Sequence, residues 1–221
     1  MKNAFTLAEV LVTLGIIGVV AAMTLPVLIN QSKGKELQIA FLKAYSTLQN
    51  TLQRMSSEEG QIINAANYPN NTFMSVFKKY LLVAKDCGSF NCISGDVVSG
   101  EAHRISKNYF TYNNSTLQIN YLDDGQILIN DGMLIAVENL GSDVLYISVD
   151  VNGNKKKPNR WGHDLFTFQV MDDGKLLPMG AEGTTFSAQT YCSLNSSNKI
   201  NGIGCTHKAL TNKNYFQNLP K

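Results

Sequence analysis

Residues 10–29 run for twenty positions without a charged side chain. A helix of that length rises about 30 Å, the thickness of the hydrocarbon core of a bilayer, so the segment can span a membrane. Ahead of it stand a four-residue head, Met1-Lys2-Asn3-Ala4, and the stretch Phe5-Thr6-Leu7-Ala8-Glu9. Glu9 is the one ionisable group inside the apolar run. A carboxylate within a membrane helix costs roughly 2.5–3.5 kcal/mol on insertion scales, so it requires a partner or a task.

Two ordinary readings compete here. A secretory signal peptide has a basic head, an unbroken apolar stretch and a small-residue cleavage site, which Val20-Ala21-Ala22 would supply. The head has only Lys2, however, and Glu9 interrupts the start of the run. A plain single-pass anchor leaves Glu9 unexplained.

A short leader ending in a small residue, then Phe-Thr-Leu-Ala-Glu, then about twenty apolar residues resembles the prepilin signal of type IV pilins and type II secretion pseudopilins. Gly15 and Gly18 lie inside the run, and Pro26 falls where such helices commonly kink. The resemblance implies cleavage between Ala4 and Phe5 by a prepilin peptidase, N-methylation of Phe5, and assembly through Glu9. Physically, the new α-amine of Phe5 and the Glu9 carboxylate are each costly alone in lipid. Stacking subunits with an axial offset lets the Glu9 of one helix meet the amine of a neighbour, which offsets both penalties.

The remainder suits one soluble domain. The chain has 221 residues, 44% of them apolar, and a formal charge of +2, which becomes +1 once Lys2 leaves with the leader. No basic field marks nucleic acid as a main partner. Lys33 and Lys35 after the span oppose a literal positive-inside count, but a long domain translocates largely regardless of charge. Four cysteines suit an oxidising compartment, and together with the resemblance this implies a domain outside the cytoplasm and a span in the inner membrane.

Past the span, Leu37, Phe41, Ala44, Leu48, Leu52 and Met55 recur at steps of three and four, with Lys43, Gln49 and Arg54 on the remaining surface. This spacing predicts one helix of about 50 residues ending near 56–60, its apolar stripe turned toward a sheet or a coiled-coil partner. Residues 72–84 predict a short helix, and 108–116 an exposed loop or edge strand. From 117 onward, short apolar runs separated by Asp-Gly turns predict an antiparallel meander: 117–121, 126–129, 133–138 and 145–151, then a hairpin of 165–171 with 175–179. The expected fold class is α+β, a long helix on an antiparallel sheet, which is also the pilin fold. The expected divisions are a leader at 1–4, a membrane and assembly segment at 5–29, an amphipathic segment at 30–58 and a globular domain at 59–221.

The polar loop 150–164 spaces oxygen donors at Asp150, Asn152, Asn154 and Asp164, which resembles the start of a calcium loop. Gly153 sits two residues early for an EF-hand, the distal Glu is absent, and Lys155, Lys156 and Lys157 oppose a cation. Calcium and a turn fixed by Asx side chains bonding their own backbone are both open on this pattern. Enzyme chemistry finds little support. His163 beside Asp164 has no accompanying nucleophile motif, Cys87, Cys92 and His103 lack a fourth zinc ligand, and no phosphate-binding glycine loop is present. Tyr109, Phe110 and Tyr112 suit sheet or loop packing.

Between Cys192 and Cys205 the chain is rich in Ser, Asn and Gly, and a spacer that polar is expected to depend on a covalent clamp. It resembles the disulfide-closed C-terminal loop of type IV pilins, which implies pairing Cys192 with Cys205 and Cys87 with Cys92; the sequence itself allows three connectivities. The reading is a non-enzymatic subunit of a pilus or pseudopilus, needing no cofactor and partnered by a prepilin peptidase, other subunits, the inner-membrane assembly machinery and lipid. The rival reading is a single-pass or secreted binding protein whose surface loop takes a metal or ligand.

Overall fold

Thr6 starts the helix and Gly60 stops it. In the computed structural model, which describes residues 6–139 and 144–220, helix α1 spans Leu7–Glu59. The Thr6 hydroxyl accepts the N–H of Glu9, while the Glu9 carboxylate accepts the N–H of Thr6, a reciprocal capping box. At the other end Gly60 adopts φ 66° and its N–H donates to Ser56 O at 3.1 Å, a left-handed cap that glycine takes without a Cβ penalty. The helix is unbroken across Pro26. The apolar stripe faces inward as its spacing requires: Phe41, Ala44, Leu48, Leu52 and Met55 are all buried, and Leu37 packs partly against them.

That stripe lies on a six-stranded antiparallel sheet. Its strands are β1 (Val83–Gly88), β5 (Gln126–Ile129), β6 (Leu134–Glu138), β7 (Tyr146–Asp150), β8 (Leu165–Val170) and β9 (Leu176–Pro178), in the spatial order β1-β5-β6-β7-β8-β9. Alternate residues such as Ile135, Val137, Ile147, Val149, Phe166 and Phe168 meet α1. Leu134, Ala136, Tyr146 and Leu165 point to the opposite face, which is also covered. A second, three-stranded sheet of β2 (Gly95–Asp96), β3 (Ile105–Phe110) and β4 (Thr116–Gln118) contributes Tyr109 and Leu117 to that second core, together with Trp161 and Ile203. Burial on both faces is why β6 reads as an apolar run from Leu134 to Val137, whereas β7, equally buried, carries Ser148 and Asp150 on its second face.

Four expectations need correction. The proposed pairing of 117–121 with 126–129 does not form. β4 pairs with β3, and β5 takes β1 as its outer neighbour. Gln126 explains part of this choice: its buried amide accepts the N–H groups of Cys92 and Ile93 at 3.1 and 2.8 Å and donates to the carbonyls of Ser89 and Leu122, so it ties the disulfide loop after β1 to β5. The helix expected at 72–84 stops early: α2 covers Phe73–Phe77, a 3₁₀ turn covers Lys78–Tyr80, and Val83 already begins β1. Residues 108–116, expected as an exposed loop or edge strand, do begin in a strand, but β3 is the central one of its sheet and its Tyr109 is fully buried. The Cys192–Cys205 spacer is better anchored than its composition suggested, because Ile200, Asn201 and Ile203 are buried and the Asn201 amide donates to Ser193 O at 2.7 Å. The disulfides join Cys87 to Cys92 and Cys192 to Cys205.

Candidate functional site

The amino-terminal half of α1 is the most exposed apolar surface of the molecule. Leu7, Leu11, Val12, Ile16, Ile17 and Met23 are each at least 60% exposed, and the helix is long and apolar enough to cross a bilayer. Glu9 sits at its start, where its Oε2 accepts both the N–H and the hydroxyl of Thr6 at 2.8 Å. One carboxylate thus caps the helix while remaining open to solvent. Ala4 and Phe5, the expected cleavage and methylation positions, lie outside the described residues.

The loop 150–164 brings some of its oxygen donors together. Asp150 Oδ1 accepts the N–H groups of Asn152 and Gly153 at 3.1 and 2.9 Å, and its Oδ2 accepts the hydroxyl of Tyr109. Asp164 accepts the N–H groups of Asn159 and Arg160 at 2.8 and 2.7 Å. Both carboxyls are held above the usual range, chiefly by burial and, for Asp150, also by the charge of Asp164. Burial likewise raises the Tyr109 hydroxyl, so it stays a donor at neutral pH. Asn154 turns elsewhere: its amide donates to Cys92 O at 3.1 Å. The Asn152 side chain hydrogen-bonds Asp164 and reaches Lys157 O at 3.5 Å, while its buried Oδ1 has no partner.

His163 and Asp164 do not form a catalytic pair. The imidazole Nε2 lies 3.2 Å from Tyr112 O, whereas the Asp164 oxygens are taken by backbone N–H groups. Burial, with Arg160 adding to it, lowers His163 to about 4, so the ring is neutral. Cys87 and Cys92 are joined to each other and offer no thiolate for zinc.

Residues 1–25 match the model of the prokaryotic N-terminal methylation motif. The chain carries a prepilin-type methylation motif. Motifs of this kind are typical of type IV pilins and pseudopilins, and they imply processing by a prepilin peptidase. No curated protein and no solved structure matches the chain. The motif and the described architecture agree: a 53-residue helix that begins in the motif lies on an antiparallel sheet, a pilin-like α+β arrangement.

One cluster escaped the sequence reading. Asp123, Asp124 and Glu138 bring one carboxylate oxygen each within 4.8 Å of one another. Two of them stand in an Asp-Asp-Gly sequence that reads as ordinary turn chemistry, and the third ends an apolar strand. No spacing rule joins them; only the pairing of the connector with β6 does.

Proposed function

We propose that this protein is a structural, non-enzymatic subunit of a type IV pilus or a type II secretion pseudopilus. It is held in the inner membrane by α1 with its domain outside the cytoplasm, cleaved between Ala4 and Phe5, methylated on Phe5, and then polymerised through α1. The observation that carries this reading is the coincidence of the methylation motif with an unpartnered apolar helix capped by Glu9. In lipid that surface is satisfied. In a filament it is satisfied again by neighbouring helices, and the docked half of α1 leaves the sheet and loops as the outer surface.

Within this reading we take the loop 150–164 as a turn fixed by its own hydrogen bonds. Its support is the set of N–H and O–H donors already engaged by Asp150 and Asp164, and the positive Arg160 beside Asp164. Calcium held by Asp150, Asn152, Asn154 and Asp164 is the competing assignment, and a calcium response abolished by Asp164→Asn would establish it.

Intact-mass analysis of the protein purified from membranes of its own host tests the main reading. The expected product begins at Phe5 and carries one added methyl group. A mature terminus at Met23, or an uncut Met1, would overturn it in favour of a secreted or plainly anchored binding protein.

A further inference from the structure

The six-stranded sheet ends in two unlike edges, β9 and β1. Beside β9 a cavity of about 680 Å³ opens between α1 and the β8–β9 turn, with Leu52, Ile62, Ile63, Leu176 and Asp173 among its lining. Ile62 is 50% exposed there. The Asn64 amide donates to Asp172 O at 2.8 Å, and a Cβ on Gly174 would fall 3.1 Å from Ile62 Cγ2, so the turn is seated against the segment that follows α1 and the cavity is preformed.

The opposite edge carries an apolar protrusion. Leu82, which leads into β1, is 77% exposed, more than any other large apolar side chain described outside α1. Its backbone is fixed, because Leu82 O accepts the N–H of Asn130 at 2.9 Å and Leu81 O accepts the N–H of Val83 at 3.1 Å. The side chain is thus held out in water, and burying it against apolar atoms of another molecule is favourable.

The charges left over at the two edges are complementary. Near β1, Lys78 is paired with Asp86, Arg54 with Glu58, and Glu59 accepts the Tyr80 hydroxyl, which leaves the exposed Lys79 and Lys85 without an ion pair among the described residues. Near β9, Lys175 is paired with Asp173, which leaves the exposed carboxylate of Asp172. Both faces are backed by one stretch of α1: Gln49, Leu52 and Gln53 line the cavity, while Thr47, Asn50 and Thr51 line the groove beside Leu82.

We propose that Leu82 of one subunit inserts into the cavity beside β9 of a second copy of this chain, with Lys79 and Lys85 facing Asp172 of that copy; the inference rests on the filament reading. One molecule cannot make this contact with itself, because four strands separate its two edges. Neighbours whose α1 helices run parallel can make it, since both faces lie at the same level of that helix. The contact joins unlike surfaces, so it is heterologous: it repeats from copy to copy and builds a helical array rather than closing a two-fold dimer. It gives the globular domains a lateral bond of their own, in addition to the packing of α1.

The test uses the full-length chain carrying both Leu82→Cys and Ile62→Cys, two exposed positions, assembled in its own host and mildly oxidised in intact cells. The expected result is a ladder of disulfide-linked multimers on a non-reducing gel, absent from either single variant. A second measurement adds no thiols: Lys79→Glu with Lys85→Glu should lower incorporation into filaments about tenfold by placing like charges together, and adding Asp172→Lys should restore it. Filaments of parental yield that give no ladder overturn the proposal and leave the filament reading intact. A ladder from Leu82→Cys alone overturns it in favour of a symmetric contact. If the added thiols themselves stop assembly, the charge reversals decide, and reversals without effect, or an effect that Asp172→Lys does not repair, overturn it equally. A parent chain absent from filaments overturns both readings.

Discussion

Replacing Gly34 with alanine sets local propensity against tertiary packing. In an exposed helix interior the change stabilises by about 1 kcal/mol, because alanine has less backbone freedom to lose. In this fold the added Cβ falls 2.5 Å from the carbonyl oxygen of Phe216 and 3.1 Å from its carbon. Both are backbone atoms, so no rotamer change relieves the overlap, and the 3₁₀ turn Tyr215–Gln217 must lift away from the helix. What it leaves behind is substantial. Phe216 is 3% exposed, its ring stands 5.6 Å from that of Phe41 and 5.7 Å from that of Phe166, and the Tyr215 hydroxyl donates to Gly162 O at 2.7 Å. Uncovering one aromatic side chain costs about 1.5–3 kcal/mol, which outweighs the helical gain. Gly34→Ala should therefore destabilise the full-length protein by roughly 1–2 kcal/mol in urea unfolding followed by Trp161 fluorescence. In a chain truncated after Asn212 the same substitution should become stabilising, closing a cycle that isolates the contact. If Gly34→Ala raises the urea midpoint of the intact chain, the tail does not pack against α1 as described.

Glu9→Leu removes both the insertion penalty and the capping box with Thr6. Membrane insertion should hold or improve while incorporation into filaments falls sharply, and filaments recovered at parental yield would remove the assembly role of the carboxylate. Replacing Cys192 and Cys205 together by serine should cost roughly 3 kcal/mol on the chain-entropy account of a loop of about fifteen residues. Because Ile200 and Ile203 stay buried, limited proteolysis should cut within the exposed part, 193–199, and spare 200–205; an unchanged digest would show that the bond constrains nothing. For His163 the folded value of about 4 lies below the ordinary 6.5, so the unfolded chain takes up the proton first as pH falls. Stability is then lost between pH 6.5 and pH 4, by up to about 3 kcal/mol relative to His163→Gln, and parallel pH–stability curves for the two proteins would refute the burial of a neutral ring.

The amino-acid sequence alone determined the elements whose signals are local. A charge-free run of membrane length, a Thr-x-x-Glu capping box, an apolar stripe at helical spacing and a glycine at the helix end define α1 from neighbouring residues only. Short apolar runs between Asp-Gly turns likewise located β5 to β9, because strand and turn preferences act within a few residues. Tertiary structure decided what those elements meet. It sent β4 to a second sheet and gave β5 the strand β1 instead, through Gln126 and the Cys87–Cys92 loop some thirty residues upstream. In the Asx loop it gave Asp150 and Asp164 backbone N–H partners. It also gathered Asp123, Asp124 and Glu138 from a connector and the far end of a strand. Periodicity reports which face of an element is apolar, but it carries no information about which distant backbone lies opposite, and charge convergence depends on that second fact.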